Sequence, residues 1–284
     1  MTEFSKRLLV AIVLIPVVLA CVWAGGAALV TMLAIVSGLA AREFFGLAEA
    51  RGARPLQVLG SACAALVPVL VHARHLGLWV PSVSQVALVV PLLLAVVLFA
   101  RGSTGHPMAS LGATLTGIVY TGGMLSFIHA LRYHDYVVDA RGGLALVLLP
   151  VVVTWCNDSG AFVAGRAWGR ARLMPSVSPA KTWAGAYGAV VASVLATWVL
   201  ATYVLPPMAH VTLRPLGIVV VGVVLSVAAQ VGDLAESMFK REAGVKDSSR
   251  LIPGHGGMLD RVDSLLFTLP VGYVLLSDLL IYRP

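Results

Sequence analysis

Nine apolar runs are the feature of this 284-residue sequence that most constrains its fold. Each run is long enough to cross roughly 30 Å of bilayer hydrocarbon as a helix, at about 1.5 Å per residue. The chain is therefore predicted to be all-α, a polytopic integral membrane bundle of about nine transmembrane helices. The predicted spans are 8–24, 27–47, 56–72, 82–100, 109–131, 144–165, 182–204, 216–238 and 262–281.

The composition agrees with a membrane protein organised as one domain. Hydrophobic residues make up 59% of the chain and charged residues 12%, whereas roughly 25% of a soluble domain is charged. The connections between runs are short, without a low-complexity linker or an evident internal repeat. We therefore predict a single transmembrane domain over 1–284, with spans 1–5 in 1–143 and spans 6–9 in 144–284.

The positive charges are distributed as in a membrane protein and not as in a nucleic-acid-binding protein. The formal net charge is +7, but Lys and Arg lie at the ends of apolar runs without interleaved aromatics, so no nucleic-acid partner is predicted. Assigning alternate loops to opposite sides places fifteen of the twenty Lys and Arg residues on one side. The positive-inside rule then puts the N-terminus and the loops after spans 2, 4, 6 and 8 in the cytoplasm. We expect a multi-pass protein of the cytoplasmic (inner) membrane of the cell.

The segment 233–263 concentrates ionisable groups more than any other part of the chain. It holds six of the thirteen acidic residues and five of the twenty basic ones. A segment that only binds anionic headgroups would be a one-signed run of Lys and Arg. Interleaved charges suit a metal ion held by carboxylates beside phosphates held by cations. The residues are Asp233, Glu236, Glu242, Asp247, Asp260 and Asp263, with Lys240, Arg241, Lys246, Arg250 and Arg261.

Two acids lie inside or at the edge of predicted spans. Asp233 follows the apolar part of span 8 and shares a helix face with Glu236, Ser237 and Lys240. Asp158 lies in the inner half of span 6. Because an acid in hydrocarbon is costly without a partner, both are candidates for a functional site. The alternative for span 8 is a helix end that becomes polar as it leaves the membrane.

A glycine-rich turn precedes span 9. The three glycines within 254–257 would let backbone N–H groups approach an anion closely, and the next helix adds its positive dipole end. Asp260 and Asp263 follow on one face of that helix. Acids on a first turn are equally typical of an ordinary helix N-terminus, so spacing alone leaves both interpretations open.

Several other polar residues have simple interpretations. Lys181 and Trp183 are typical of the snorkelling cation and the aromatic belt of any span. Glu43, beside Arg42 on the extension of span 2, is predicted to be a solvated helix end. The histidines near span ends are predicted to be ordinary interfacial groups, namely His72, His75, His106 and His129.

Taken together, the polar residues resemble the phosphatidate cytidylyltransferase family, also called CDP-diacylglycerol synthases. The C-terminal match consists of Ser237, Lys240, Arg241, Lys246, Asp247, Pro253, His255, Gly256, Gly257, Asp260, Arg261 and Asp263. Upstream family segments are matched by Asn157, Asp158, the glycines of the Gly165 to Gly169 region, Ser178, Pro179, Lys181, Thr182 and Trp183. Ala180 and Ala184 stand where a second Lys and a Glu are expected. The detailed similarity covers roughly residues 150–265.

The resemblance implies transfer of CMP from CTP to phosphatidic acid in the bilayer, giving CDP-diacylglycerol and pyrophosphate. It implies a need for Mg²⁺, with Mn²⁺ as an alternative and a second cation as an option. On this basis we assign, as hypotheses, metal binding first to Asp233 and Asp260, and then to Asp263 and Asp158. The further catalytic candidates are Lys240, Lys246 and His255. Substrate phosphates are assigned to Lys181, Ser178, Ser237, Arg241, Arg261, Gly256 and Gly257.

Two other functions stay open at this point. A transporter or channel would pass an ion by way of buried acids such as Asp158 and Asp233, although transporters often show paired repeats that are not evident here. A related enzyme would use CTP with a polyprenol or another lipid, because residues that bind phosphate do not read a lipid tail. Small residues in span 5 allow close helix packing within one subunit or in a homodimer.

Overall fold

The computed structural model of the protein describes residues 3–102, 106–252 and 254–282, and the side chains within those ranges except those of 3–9 and 11. Pro253 of the C-terminal motif lies outside the described residues. The α-helices are α1 (Glu3–Ala24), α2 (Gly26–Glu49), α3 (Gln57–His75), α4 (Val83–Ala87), α5 (Val89–Arg101), α6 (Pro107–Gly117), α7 (Phe127–Arg132), α8 (Ala140–Trp168), α9 (Trp183–Val199), α10 (Leu205–Ala209), α11 (Pro215–Glu242), α12 (Leu259–Val262) and α13 (Leu265–Leu279). Two π-helices cover Ile118–Gly123 and Leu200–Val204, and the strands are β1 (Arg172–Met174), β2 (Ser178–Thr182), β3 (Val211–Leu213) and β4 (Leu280–Tyr282).

Eight helical stretches of the described chain are long and apolar enough to cross a membrane, which confirms the predicted class of polytopic helical membrane protein. The first predicted span corresponds to α1, where Ile12–Ala24 is a shorter apolar helix. Gly25 separates α1 from α2 with a φ of +64°. A Cβ at Gly25 would lie 2.5 Å from the Tyr133 hydroxyl, so the turn requires glycine. The eight stretches are Gly26–Glu49, Gln57–His75, Val83–Arg101, Pro107–Arg132, Ala140–Trp168, Trp183–Ala209, Pro215–Glu242 and Leu259–Leu279.

The first of two compact units is packed around Phe45 of α2. The Phe45 side chain is fully buried. A Cβ built at Gly60 or Gly117 would lie 2.7 Å and 2.2 Å from its ring, closer than real Cβ contacts allow. These two glycines therefore let α3 and α6 approach α2 closely. The segments of this unit are Met1–Leu14, Gly26–His129 and Phe239–Arg261.

The second compact unit is centred on the contact between α8 and α9. A Cβ at Gly160 would lie 2.6 Å from the Gly188 carbonyl oxygen, so small residues allow these helices to pack closely. Thr154 of α8 donates a hydrogen bond to Thr268 of α13 over 3.0 Å. The segments of this unit are Ile15–Gly25, Ala130–Met238 and Val262–Pro284. The single-domain organisation over 1–284 stays a prediction.

A short β-hairpin lies between α8 and α9, where the sequence predicted only a loop. Strand β1 pairs with β2 in antiparallel fashion, with Arg172 opposite Thr182. Thr182 also caps α9, because its hydroxyl accepts a hydrogen bond from the Gly185 N–H over 3.1 Å. The hairpin thus fixes Ser178 and Lys181 of β2 just before the start of α9. A second hairpin pairs β3 with β4.

Candidate active site

A cavity of about 430 Å³ in the second unit brings together three of the predicted site residues. Asp158 comes from α8, Lys181 from β2 and Asp233 from α11. Two acids of predicted spans 6 and 8 and a cation before span 7 thus line the same cavity, while their roles in binding and catalysis stay predictions. Further residues that line it are Asn157, Phe162, Gly165, Arg166, Thr182 and Gln230.

The closest charge contact in this cavity joins Lys181 and Asp233. The Lys181 Nζ lies 2.8 Å from Asp233 Oδ2, and the two side chains are 24% and 37% exposed. An acid at the end of an apolar helix segment needs such a partner. Lys181 is therefore more than a snorkelling cation at a span end, since it neutralises a carboxylate inside the cavity.

A buried polar network supports Asp158 from behind. The Asn157 amide donates to Asp158 Oδ1 over 3.3 Å, and Asn157 Oδ1 accepts from the Ser226 hydroxyl over 2.7 Å. Gln230 donates in turn to the Ser226 hydroxyl over 3.1 Å. Because Asn157 of α8 is buried, its amide orientation is set by the hydroxyls of Ser226 and Ser193 that donate to its Oδ1. The orientation of Asp158 thus depends on a chain of hydrogen bonds to α11.

The serines predicted to bind phosphate have different surroundings. The Ser237 hydroxyl donates to Asp233 Oδ1 over 3.4 Å, so it contacts a candidate metal ligand of its own helix. Ser178 opens β2 and is half-buried. Phosphate binding by both serines stays a prediction.

A second charged cluster, in the first unit, is organised by Asp260. The Lys240 Nζ lies 2.7 Å from Asp260 Oδ1, and the two side chains are 12% and 5% exposed. Asp260 Oδ2 accepts from the Ser248 N–H over 2.9 Å, from the Ser248 hydroxyl over 2.8 Å and from the Gly257 N–H over 2.8 Å. One carboxylate therefore takes donors from α11, from the segment after it and from the glycine-rich turn.

Two backbone N–H groups of the glycine-rich turn donate hydrogen bonds to other parts of the same protein segment. The Gly257 N–H donates to Asp260, and the His255 N–H donates to the Ile252 carbonyl over 2.9 Å. Gly256 has a φ of +80°, and a Cβ there would lie 2.8 Å from Asp260 Oδ2, so this position requires glycine. The anion next to Gly257 in the structure is an internal carboxylate. Substrate binding by Gly256, Gly257 and His255 stays a prediction.

Glu43 was wrongly predicted to be a solvated helix end. Its carboxylate is half-buried and accepts four hydrogen bonds from the segment that leads to α12. The sequence did contain a signal, because Glu43 precedes two buried phenylalanines, Phe44 and Phe45, within an apolar span. Like Asp233, Glu43 is an acid at the edge of the hydrocarbon and needs partners there.

The remaining site candidates occupy varied positions. Glu236 of α11 is fully buried, so the interpretation as a helix end that becomes polar in water is wrong for this residue. Asp263 is half-buried and accepts from the Ser264 N–H over 2.6 Å. The cations Arg241, Lys246 and Arg261 are exposed.

The donor set of the cavity is suited to a divalent cation that shares its coordination with a ligand. In the described part of the chain, no three His, Cys, Asp or Glu side chains are grouped so as to hold a metal by themselves. Mg²⁺ prefers oxygen ligands, and proteins commonly supply one or two carboxylates while phosphates and waters supply the rest. Asp158 and Asp233, two carboxylates on one cavity, fit that pattern. The metal roles of Asp260 and Asp263 stay predictions.

The fold and the cavity define a polytopic helical membrane protein with a site that is lined by charges of both signs. Two acids, Asp158 and Asp233, and two cations, Lys181 and Arg166, border that site. The chain belongs to the cytidylyltransferase family, whose sequence model matches residues 5–279. This match covers nearly the whole chain and confirms the family resemblance seen in the polar motifs.

Several curated relatives share one name. A phosphatidate cytidylyltransferase of Brucella suis is 33% identical over 267 residues, which are 94% of this chain and 90% of that protein. One of Staphylococcus haemolyticus is 29% identical over 273 residues, 96% of this chain and 99% of that protein. One of Haemophilus influenzae is 42% identical over 143 residues, and that alignment spans only 49% of this chain and 48% of the relative.

Proposed function

We propose that this protein is a phosphatidate cytidylyltransferase of phospholipid biosynthesis, which transfers CMP from CTP to phosphatidic acid. The observation that carries the proposal is the cavity where Asp158, Lys181 and Asp233 meet, in a chain of the cytidylyltransferase family. The names of the relatives in Brucella suis and Staphylococcus haemolyticus support the choice of phosphatidic acid as the lipid substrate.

The reaction joins two anions, so neutralisation of charge is its main requirement. An oxygen of the lipid phosphate forms a bond to the α-phosphorus of CTP. The bond from that phosphorus to the bridging oxygen breaks, and pyrophosphate leaves with the electron pair. No general base is needed, because a phosphate monoester at neutral pH is already an oxyanion. Positively charged groups held beside the phosphates therefore lower the activation barrier of the transfer.

The residues of the cavity divide this task. Asp158 and Asp233 would hold Mg²⁺, which when bound supplies positive charge to the triphosphate oxygens. The Lys181 ammonium lies 2.8 Å from the Asp233 carboxylate. It would bind a phosphate oxygen of the substrate. Arg166 would add a second cation at the same cavity. Phosphate binding by Lys240, Arg241 and Lys246 stays a separate prediction, which rests on the family resemblance.

The site is proposed to face the cytosol, where CTP is found. The support is the charge asymmetry of the loops, which places the segments after spans 6 and 8 on the cytoplasmic side by the positive-inside rule. A membrane-embedded bundle also suits the second substrate, since phosphatidic acid can approach laterally from the bilayer.

The proposal is tested with purified protein in detergent, phosphatidic acid and each of the four nucleoside triphosphates, with and without Mg²⁺ or Mn²⁺. Mass spectrometry of the lipid products should show CDP-diacylglycerol only with CTP and a divalent cation. A polyprenyl phosphate as the alternative acceptor tests the related transferase. A product from that acceptor and none from phosphatidic acid would contradict the proposal. Turnover in detergent, where no gradient exists, also separates an enzyme from a transporter.

A further inference from the structure

We propose that Glu43 is a positioning residue whose carboxylate holds the segment 248–259 by hydrogen bonds, an arrangement that we call the clasp. The clasp orders the loop between α11 and α12 before substrate binds. The inference rests on the proposed function for its kinetic consequence, but its structural part stands on geometry within the first unit. Glu43 lies more than 200 positions before this segment in the sequence, on membrane helix α2. The clasp therefore ties a loop to α2, a helix whose Phe45 side chain is fully buried in the first unit.

Each oxygen of the Glu43 carboxylate accepts one hydroxyl and one backbone N–H. Oε1 accepts from the Ser249 hydroxyl over 2.6 Å and from the Met258 N–H over 3.0 Å. Oε2 accepts from the Ser248 hydroxyl over 2.9 Å and from the Leu259 N–H over 2.8 Å. An ionised carboxylate offers about four acceptor positions, and four donor groups of this one segment lie within hydrogen-bond distance of them.

This pattern requires a carboxylate and not merely a polar side chain. A glutamine at position 43 would keep one acceptor oxygen but turn an NH₂ group toward the other pair of donors. A serine hydroxyl can rotate and accept, whereas the Met258 or Leu259 N–H cannot. One backbone N–H would then face another donor and lose its partner. Hydrogen bonds to a charged acceptor are also stronger than those to a neutral one.

The clasp is coupled to Asp260 through Ser248. The Ser248 hydroxyl lies 2.9 Å from Glu43 Oε2 and 2.8 Å from Asp260 Oδ2. One hydroxyl proton cannot satisfy both carboxylates at once, so the serine links the two acids. The Lys240 ammonium, 2.7 Å from Asp260 Oδ1, supplies positive charge to this pair of acids. Glu43 thereby helps to fix Lys240 and Asp260, both of which are proposed site residues.

The glycine at position 257 has a second explanation in this arrangement. A Cβ at Gly257 would lie 2.2 Å from the Ser248 hydroxyl oxygen and 2.3 Å from Glu43 Oε2. Any side chain at this position would therefore push the segment away from the Glu43 carboxylate. The need for glycine follows from the internal clasp, whether or not the turn also approaches a substrate phosphate.

The kinetic consequence should appear in CTP binding. If the loop were ordered in only a fraction of the molecules, the apparent affinity for CTP would be reduced by that fraction. A loop that is already ordered before CTP binds avoids this loss. In Glu43→Gln we expect the KM for CTP to rise about tenfold, while kcat stays within about twofold of wild type. The KM for phosphatidic acid should not change. A general loss of structure would instead lower kcat and the melting temperature together.

The structural part is tested by hydrogen–deuterium exchange of the purified full chain without ligands. The peptide that covers 248–259 should exchange about tenfold faster in Glu43→Gln than in wild type. Glu49→Gln is the matched control, because Glu49 is an exposed acid at the end of the same helix. Ser249→Ala, which removes one of the four donors, is the second variant and should give a smaller increase.

The outcomes separate the clasp from the proposed function. Exchange in Glu43→Gln and Ser249→Ala equal to that of wild type would overturn the clasp, whatever the activity. Faster exchange with an unchanged KM for CTP would overturn its positioning role. If the wild-type protein makes no CDP-diacylglycerol, the proposed function fails, and the exchange result still decides whether Glu43 orders the loop. Should Glu43→Gln not fold, Ser249→Ala carries both readouts.

Discussion

The hydrogen-bond partners distinguish two groups of carboxylates in this protein. The cavity acids are Asp158 and Asp233, and the loop acids are Glu43 and Asp260. In the cavity of the second unit, Asp158 has one side-chain donor at 3.3 Å, and Asp233 has two partners, Lys181 and the Ser237 hydroxyl. In the first unit, Glu43 and Asp260 each have four donor groups of the protein within hydrogen-bond distance, and they share one of these, the Ser248 hydroxyl. A carboxylate already filled by backbone and hydroxyl donors holds a loop in place. Those that line a cavity with fewer donors retain oxygens for a metal or a ligand.

The largest effect is expected where the cavity acids are neutralised. Asp233→Asn and Asp158→Asn should each lower the rate of CDP-diacylglycerol formation at least about 100-fold, because each removes a charged oxygen ligand from the proposed metal site. The measurement is CTP-dependent lipid product from purified protein at equal concentration. Asp278→Asn, an exposed acid of α13, is the matched control and should retain activity. Near-normal activity in Asp233→Asn would remove this residue from the metal site and break the contrast between the two groups.

Gly257→Ala tests the other group by a steric route. We expect a loss of activity on the order of 10- to 100-fold, because the added methyl would overlap the Ser248 hydroxyl and the Glu43 carboxylate and displace the loop. Exchange of the 248–259 peptide should rise even without CTP. Gly46→Ala on α2 is the control, since a Cβ there meets no atom within 4 Å. Lost activity with unchanged exchange would favour a direct contact of Gly257 with substrate.

A smaller effect is expected from the network behind Asp158. Asn157→Ala removes the amide that donates to Asp158 and leaves the Ser226 hydroxyl without that acceptor. Activity should fall about tenfold, as for residues that orient a metal ligand. The dependence on Mg²⁺ should shift to higher concentration. If only the melting temperature falls and the Mg²⁺ dependence is unchanged, the network is structural and does not orient Asp158.

His134 offers a purely structural comparison for both groups. Its Nδ1 accepts from the Tyr136 N–H, and its Nε2 lies 2.8 Å from the Ser277 hydroxyl, an arrangement that favours the neutral ring. Burial lowers the pKa of His134 below its usual value of 6.5, and the neighbouring Asp135 carboxylate partly offsets this. Because the folded pKa is lowered, the stabilisation is complete above pH 6.5 and is lost as the pH falls through the lowered pKa.

His134→Gln should therefore flatten the fall in melting temperature of the protein between about pH 7 and pH 5. The measurement is thermal unfolding in detergent as a function of pH, with wild type alongside. The kinetic constants for CTP at pH 7.5 should be unchanged, which sets this variant apart from those of the two carboxylate groups. An equally steep decline in both proteins would show that His134 does not carry the pH dependence.

The sequence predicted the membrane spans and several residues of the cavity for separate reasons. Long apolar runs have few alternatives to membrane helices, so the bundle followed from hydropathy. Asp158 and Asp233 were chosen because an acid near hydrocarbon needs a partner, and Lys181 was chosen from the family resemblance. The structure places all three on one cavity. The pair of Lys240 and Asp260 was within the predicted polar segment, although the salt bridge between them was not foreseen.

The features that sequence reasoning missed depend on distant parts of the chain. The partners of Glu43 lie more than 200 positions away in the sequence, and the residues next to Glu43 do not indicate which they are. The hairpin of β1 and β2 is too short to show the alternation of a strand, and the π-helices Ile118–Gly123 and Leu200–Val204 interrupt spans that read as uniform helices. The acids at 260 and 263 fitted both a ligand site and a helix start. The partners of Asp260, namely Lys240, Ser248 and Gly257, all lie before α12 and were foreseen by neither interpretation.

Binding of Mn²⁺ in the presence of CTP, followed by electron paramagnetic resonance on purified protein, tests the central claim most directly. The wild type and Glu43→Gln should both bind Mn²⁺, the latter requiring about tenfold more CTP. Asp233→Asn should bind it at least about 100-fold more weakly at any CTP concentration. Wild-type affinity for Mn²⁺ in Asp233→Asn, together with loss of binding in Glu43→Gln, would contradict the division between the cavity acids and the loop acids.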